Sequence, residues 1–495
     1  MKNSIKLVFA VIVFSFNTIQ AQWFQIAEFE GQEDGSRAGW SVSMSADGNV
    51  IAYGEVLNSN NGLDAGQLKI VKKINGNWDQ IGQAIQGDAE GNHLGDAVSL
   101  NANGTIVAVG APFNEENGVN SGQVKVFENV NENWVQLGQN INGDNAFDNS
   151  GRAVSLNTSG TILAIGSHFN STNGTQSGHV RIFEFVNENW NQLGQDINGE
   201  SQFDESGWSV SLSDDGTIVA IGAKYNDGDG YNKGQTRVYK FLNGNWTQLG
   251  QDIDGESDND LSGFSVSISS DGSIVAIGGI HNEANGSLAG HVRIFEYSNG
   301  SWTQIGDDID GEAGENFGYS VSISDDGLTV AIGAINGDGL EIDSGVARVY
   351  NFNNGNWSQM GGNLEGEVTG DYFGRSVSIN SDATSVVIGI PSAGANFSLS
   401  GKVKVFGNEP LGVSDISKQE IIVYPNPTNQ LINIKTLSEN YELYVYDITG
   451  KLIFHKEVLN SNGTQELNVT NFENGIYILK IKEDQKTFET KVVKH

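Results

Sequence analysis

The chain has no cysteine in 495 residues, only five prolines and three methionines, and 27 basic side chains against 61 acidic ones. Without cysteine there is no disulfide framework and no thiolate metal site, so packing and hydrogen bonds must hold the fold. The shortage of positive charge is local: residues 22–410 hold 50 acidic and 16 basic side chains, whereas residues 411–495 hold 11 and 9. Such a field repels nucleic acid and anionic membrane and favours solubility or cation binding, so no nucleic-acid partner is expected. Long apolar runs are missing after the first 21 residues. There, Lys2 and Lys6 precede an apolar stretch at 7–16, and Ala21 offers a cleavage point before Gln22. Ten apolar residues fall short of the roughly 30 Å of hydrocarbon they would have to cross. Residues 1–21 therefore read as a signal peptide, with no transmembrane segment in the mature chain. Helix-period patterning is also lacking.

What is present is a repeat. Trp23, Trp78, Trp134, Trp190, Trp246, Trp302 and Trp357 stand 55 or 56 residues apart, so seven of nine tryptophans mark one position of one unit. A fixed period of this size means a propeller, solenoid or array. Each unit carries four strand signals. Strand A alternates apolar residues with serine, as at 207–213; strand B is a continuous apolar run, as at 218–223; strand C alternates again; strand D opens at the tryptophan as W-x-Q-Leu/Ile-G. Asp-Gly or a relative joins A to B, and Asn-Gly joins C to D in four units, dipeptides that accept positive φ and close tight hairpins. Glu132 and Glu188 replace that second glycine, and a different turn type is expected there.

Seven four-stranded units without helices define an all-β fold, a seven-bladed β-propeller over 22–407. The N-terminal piece at 23–28 is a lone strand D, and the last unit stops after strand C at 402–406. The first should complete the last and close the ring. The unit resembles the FG-GAP repeats of integrin-type propellers through Phe317-Gly318, Phe373-Gly374, Gly110-Ala111-Pro112 and a strand C ending V-x-V-Tyr/Phe. Integrin-type repeats often hold calcium in a D-x-D-x-D-G loop between A and B. Here the loop keeps only residues such as Asp214-Asp215-Gly216, and three alternating oxygen ligands are absent.

After residue 407 the composition shifts, with Pro410, Pro425 and Pro427 among the five prolines. A linker at 408–420 and a small β-sandwich at 421–495 are expected, the latter from seven short alternating segments. This segment resembles the type A C-terminal sorting domain of the type IX secretion system of Bacteroidetes. The residues carrying the resemblance are Tyr424-Pro425-Asn426-Pro427, Gly450-Lys451, and Gly475 with Tyr477. It implies type IX secretion machinery as a partner, and a secreted or cell-surface location.

Strand parity places the B–C and D–A loops on one face, and the least regular of them lie at 200–206, 226–233 and 256–262. Long loops on a rigid scaffold are where binding resides. Trp40, Trp208, Phe264 and Tyr319 share the position after the strand A glycine, where other units place Asp96, Arg152 and Arg375; two readings stand, packing between blades or lining the channel mouth as a ligand face. Asp227, Asp229, Asp258 and Asp260 are oxygen ligands that a Ca²⁺ ion could use. No catalytic constellation is seen: the seven histidines form no metal-ligating pair by spacing, and His179 and His291 match in position at the start of strand C. The expectation is a non-catalytic binding or adhesion module for polysaccharide or protein, with no cofactor. The alternatives are a secreted polysaccharide hydrolase or lyase, and a structural surface-layer protein.

Overall fold

A six-residue apolar run survives in water only when both its faces are covered. The second strand of every repeat, for example Ile218–Ala223, is such a run, and it is buried along nearly its whole length. The computed structural model describes residues 23–228, 230–394 and 399–408, then 422–424, 428, 430–435, 440–447, 451–458, 464–483 and 486–494. The leader at 1–21 and all but the first residue of the linker at 408–420 lie outside these residues. Contacts divide the chain into two units after Asn408.

In the first unit each repeat is one antiparallel sheet. The fourth runs Ser209–Leu212, Ile218–Ala223, Gln235–Leu242 and Asn245–Gln248. A fifth short segment, Ile253–Asp254, returns to pair with the start of the third strand. The sequence reading had missed that segment; strand D is one outer strand interrupted at Leu-Gly-Gln. Six sheets are built from consecutive strands. The seventh combines Ser376–Ile379, Ser385–Ile390 and Lys402–Gly407 with Phe24–Glu30, which pairs from Phe24↔Gly407 to Glu30↔Lys402. Three consecutive strand A residues from all seven sheets line one central cavity of about 210 Å³. The sheets are therefore blades of a seven-bladed propeller, closed by its N-terminal strand.

Three hydrogen-bonded systems join the blades. The inner one explains the serines of strand A: Ser43 Oγ accepts the Leu100 amide of the next blade, and the relation repeats seven times until Ser378 accepts from Met44. On the tight-turn face the A–B loops form a second ring, each backbone amide donating to the next loop's carbonyl, from Ala46 to Ala102 and on until Ser381 donates to Ala46.

The outer system explains W-x-Q-L-G-Q. Trp246 donates its indole N–H to the Leu193 carbonyl of the preceding blade at 2.7 Å, while Gln195 brackets the Trp246 backbone, donating to its carbonyl and accepting its amide. The intervening Gly194 lies flat against the indole, where a Cβ would stand 2.8 Å from Cδ1. Six of the seven repeat tryptophans, including Trp23 onto Met360, make the indole bond among the described residues.

Charge adds a further link that sequence reasoning did not pick out. The third residue of strand C is basic in every blade (Lys69, Lys125, Arg181, Arg237, Arg293, Arg348, Lys404) and buried in each. Six of them pair with a carboxylate of the preceding blade, such as Arg181 with Asp144 at 2.6 Å and Arg348 with Glu315 through two bonds. Lys69 pairs with Glu55 inside its own blade. A buried cation without its partner is costly, so each pair fixes the docking of its two blades. The signal was available: one position takes seven of the sixteen basic residues of an acidic domain.

Two turn expectations need correction. The C–D turns at Asn131-Glu132 and Asn187-Glu188 have φ of 50° and 64°, and 51° and 65°, the same left-handed pair as Asn75-Gly76 at 52° and 86°. The pairing on both sides imposes the turn, and glutamate conforms to it. The A–B connections are loops rather than two-residue turns, with Ser213 N bonded to Ile218 O and Asp215 holding Ser213 and Thr217. Only one residue of each has positive φ, a glycine in six blades, such as Gly216 at 70°, and Ala383 at 56° in the seventh.

In the second unit, Ile422–Tyr424, Leu431–Lys435 and Thr464–Asn468 form one sheet, in that order. Leu452–Val458, Tyr441–Asp447, Gly475–Glu483 and Lys486–Lys494 form the other. Ile432, Ile434 and Leu467 of the first share a core with Leu443, Val445, Leu479 and Ile481 of the second, a sandwich. All seven expected strands are present.

Candidate ligand face

The seven equivalent residues after the strand A glycine make a closed ring at the channel mouth. Trp40 donates Nε1–H to Asp96 at 3.1 Å, and Asp96 accepts Arg152 at 3.2 Å. The Arg152 guanidinium lies 4.3 Å from the Trp208 ring centroid. Trp208 meets Phe264 at 5.6 Å and Phe264 meets Tyr319 at 4.9 Å. Arg375 then lies 5.0 Å from Tyr319 and 4.2 Å from Trp40, which completes the circuit. Each of the two guanidinium groups stacks on the aromatic rings beside it, a cation–π contact that is strong where water is partly excluded. Trp40, Trp208, Phe264 and Tyr319 are half-buried and line the central cavity, and they also pack on their neighbours in the ring.

Above the ring is a cavity of about 760 Å³ lined by Trp40, Asp96, Arg152, Trp208, Tyr319 and Arg375, and walled by Arg37, His93, Phe113, Phe169 and Tyr372 from the long loops. Its chemistry is unusual for this domain. Nine basic residues of 22–410 lie outside the strand C ion pairs, and three of them, Arg37, Arg152 and Arg375, open into this one cavity.

A second group lies behind the ring. Lys224 Nζ sits 2.9 Å from the Trp208 centroid and 3.2 Å from Glu205. Burial pulls the Lys224 ammonium down to about 8, partly offset by Glu205, and burial likewise raises Glu205. His168 packs edge-on against Trp208 at 5.1 Å; burial, with Arg152 and Lys224 nearby, holds it well below the usual histidine range. His168 and Lys224 stand one period apart, each just after strand B, but nothing local in the sequence marks Glu205 of the next D–A loop as their neighbour.

The long loops at 200–206 and 226–233 meet in a groove of about 850 Å³ that includes Phe203, Asp204, Tyr225 and Asp227. The residues named for calcium do other work there. Asp227 Oδ1 accepts the Asn232 amide and Asp258 Oδ1 the Tyr231 amide, so both brace one loop tip. Asp260 is buried and caps the amides of Glu256 and Ser257. Asp229 lies outside the described residues.

Of the sorting-motif residues, Pro425, Asn426, Pro427 and Gly450 lie outside the described residues, and Tyr424 ends a strand. Lys451 closes a turn, its amide donating to Asp447 Oδ1 and its carbonyl accepting the Asp447 amide. Gly475 opens a long strand, and Tyr477 is buried with its hydroxyl donating to the Glu473 carbonyl.

Comparisons with known proteins follow the two units. Residues 422–495 match the family model of the secretion system C-terminal sorting domain, and residues 308–350 match the FG-GAP repeat. The sorting domain indicates export to the cell surface or extracellular space and implies handling by the type IX secretion machinery. No curated protein matches the chain. Similar solved structures include a putative 6-phosphogluconolactonase from Bacteroides uniformis (11% identity, 85% of this chain and 99% of that one, TM-score 0.48). A periplasmic gluconolactonase from Pseudomonas aeruginosa aligns at 12% identity, covering 85% of this chain and 98% of its own, TM-score 0.47. PorZ, a surface component of the type IX system of Porphyromonas gingivalis, aligns at 12% identity over 94% of this chain and 60% of its own, TM-score 0.44. At these scores the blade topology itself is the ground for the fold. No helix among the described residues is long and apolar enough to cross a membrane.

Proposed function

We propose that the propeller is a non-catalytic binding module for an anionic polysaccharide, engaged at the channel-mouth ring. The observation that supports this most is the closed Trp–Asp–Arg–Trp–Phe–Tyr–Arg circuit under a cavity of about 760 Å³. Aromatic faces suit the apolar faces of sugar rings, and a guanidinium fork suits a carboxylate or sulfate. Concentrating three of the domain's few arginines there makes an electropositive spot in a negative field, which favours one end or branch of an acidic glycan over the whole surface.

The test is equilibrium binding of the full chain to a panel of acidic and neutral polysaccharides. Binding to acidic members alone is expected, falling at least tenfold in Arg152→Ala and Trp208→Ala and weakening with salt. Equal binding of neutral glycans, or variants that bind like the parent, would remove the proposal.

The enzyme reading, a polysaccharide hydrolase or lyase, draws on His168, Glu205 and Lys224, a titratable cluster with shifted pKa values beside the cavity. Two facts favour binding. Lys224 is covered by the Trp208 ring, and neither it nor Glu205 lines the cavity, so of the three only His168 reaches its wall. Release of new reducing ends or unsaturated sugars from an acidic glycan would reverse that preference.

A further inference from the structure

At the first position of strand C three blades carry glutamine, whose side-chain nitrogens find acceptors: Gln123 Nε2 donates to Asn142 Oδ1 at 2.9 Å and Gln235 Nε2 to Asp254 Oδ1 at 3.1 Å, while the Oε1 of each has no partner. Blades three and five carry His179 and His291 instead. Both histidines are fully buried, and in both, neither ring nitrogen has a hydrogen-bond partner. Buried polar atoms are nearly always satisfied, so four orphaned imidazole nitrogens at two equivalent places require an explanation.

Their surroundings supply one for the Nδ1 of each ring. His291 Nδ1 faces Asp308 Oδ2 at 3.6 Å and Glu256 Oε2 at 3.9 Å, just beyond hydrogen-bonding reach of each. His179 stands in the same relation to Asp196, at 3.9 Å, and Asp144 completes its group. In each trio one ligand atom per residue lies within 4.8 Å of the others. The oxygens are also divided. Arg293 approaches Glu256 Oε1, leaving Oε2 for the histidine side, and Arg181 takes Asp144 Oδ1. The four carboxylates are partly exposed, so water and ions reach the site from outside.

We infer that Glu256–His291–Asp308 and Asp144–His179–Asp196 are two divalent transition-metal sites, zinc being the type ion, each tying one blade to the next. One imidazole nitrogen with two carboxylate oxygens is a borderline-soft donor set that suits Zn²⁺, whereas calcium takes six to eight oxygens. With metal–ligand lengths of about 2.0–2.1 Å in a tetrahedron, donor atoms stand roughly 3.3–3.5 Å apart, so ligand atoms now within 4.8 Å of one another draw together by up to about 1.5 Å to seat the ion. The fourth position is open to water. Glu256 follows the outer strand of blade four and His291 opens the third strand of blade five, so the ion bridges two sheets. Blades three and five are the only blades with histidine at this position.

The test is zinc bound per full-length, tag-free chain after exhaustive dialysis, read by elemental analysis, together with the Zn²⁺-dependent rise in melting temperature. Two equivalents are expected in the parent, one in His291→Gln, and none above background in the double variant His179→Gln/His291→Gln, which also loses the thermal shift. Glutamine is the residue three other blades use here, so these variants should fold. Asp308→Asn with Glu256→Gln, which keeps His291, should also lower the count by one. No zinc in the parent, or full zinc in the double variant, would overturn the inference.

Discussion

A residue held in a backbone region it disfavours costs free energy for as long as the fold persists. Glu132 and Glu188 are two such residues, exposed at the tips of left-handed C–D turns where four other blades have glycine. The left-handed region costs an L-residue about 1–2 kcal/mol, part of which glycine returns through its freer unfolded chain. Glu132→Gly and Glu188→Gly should each raise stability by about 0.5 kcal/mol, read as a higher denaturant midpoint at unchanged m. His168 makes the opposite kind of demand. Its folded pKa lies well below its unfolded value, chiefly through burial. The unfolded chain therefore binds the extra proton first, and stability falls as pH drops below about 6.5 toward the folded pKa, by at most about 1.4 kcal/mol per pH unit. Replacing it by glutamine should flatten the stability slope between pH 6.5 and 5 relative to the parent, above the range where most carboxylates titrate.

At the scale of the element, the outer strand is the one whose sequence is most completely accounted for. Its tryptophan, glycine and glutamine are all spent on the neighbouring blade. Trp246→Phe keeps the ring but leaves the Leu193 carbonyl without its donor, so a loss of about 1–3 kcal/mol in unfolding free energy is expected. Gln195→Ala should cost a comparable amount, and the double variant less than the sum, because both act on one docking contact. This level was half legible beforehand. Strand B and the Asn-Gly turns could be read from local pattern, since apolar continuity and positive-φ dipeptides are short-range signals. The return segment at Ile253–Asp254 could not, because two residues are too few for any periodicity, and the Glu turns were misjudged because strand pairing outweighs the preference of one residue.

For the whole molecule, the period of the tryptophans carried the blade count, and the incomplete first and last units carried the closure. The candidate site was legible only as a position. Seven residues 55 or 56 apart become neighbours when the ring closes, and nothing local in any repeat marks Arg152 as a partner of Trp208 or Arg375 as a partner of Trp40. Histidines that match between two repeats suggested a structural role; their orphaned nitrogens and the carboxylates from adjacent blades emerge only from the packing.

The pairing of Phe24–Glu30 with Lys402–Gly407 also sets a clock. The strand that leaves first in synthesis or translocation has no seat until the last blade's third strand arrives some 370 residues later, so for most of its journey the ring is an open arc with one raw sheet edge. Contacts of such sequence separation form late and slowly. The final seat, Lys402–Gly407, is the last propeller strand before the linker to the secretion-directing domain. An interrupted chain therefore has no closed state to occupy: the molecule reports its own completeness through whether its beginning has found its end.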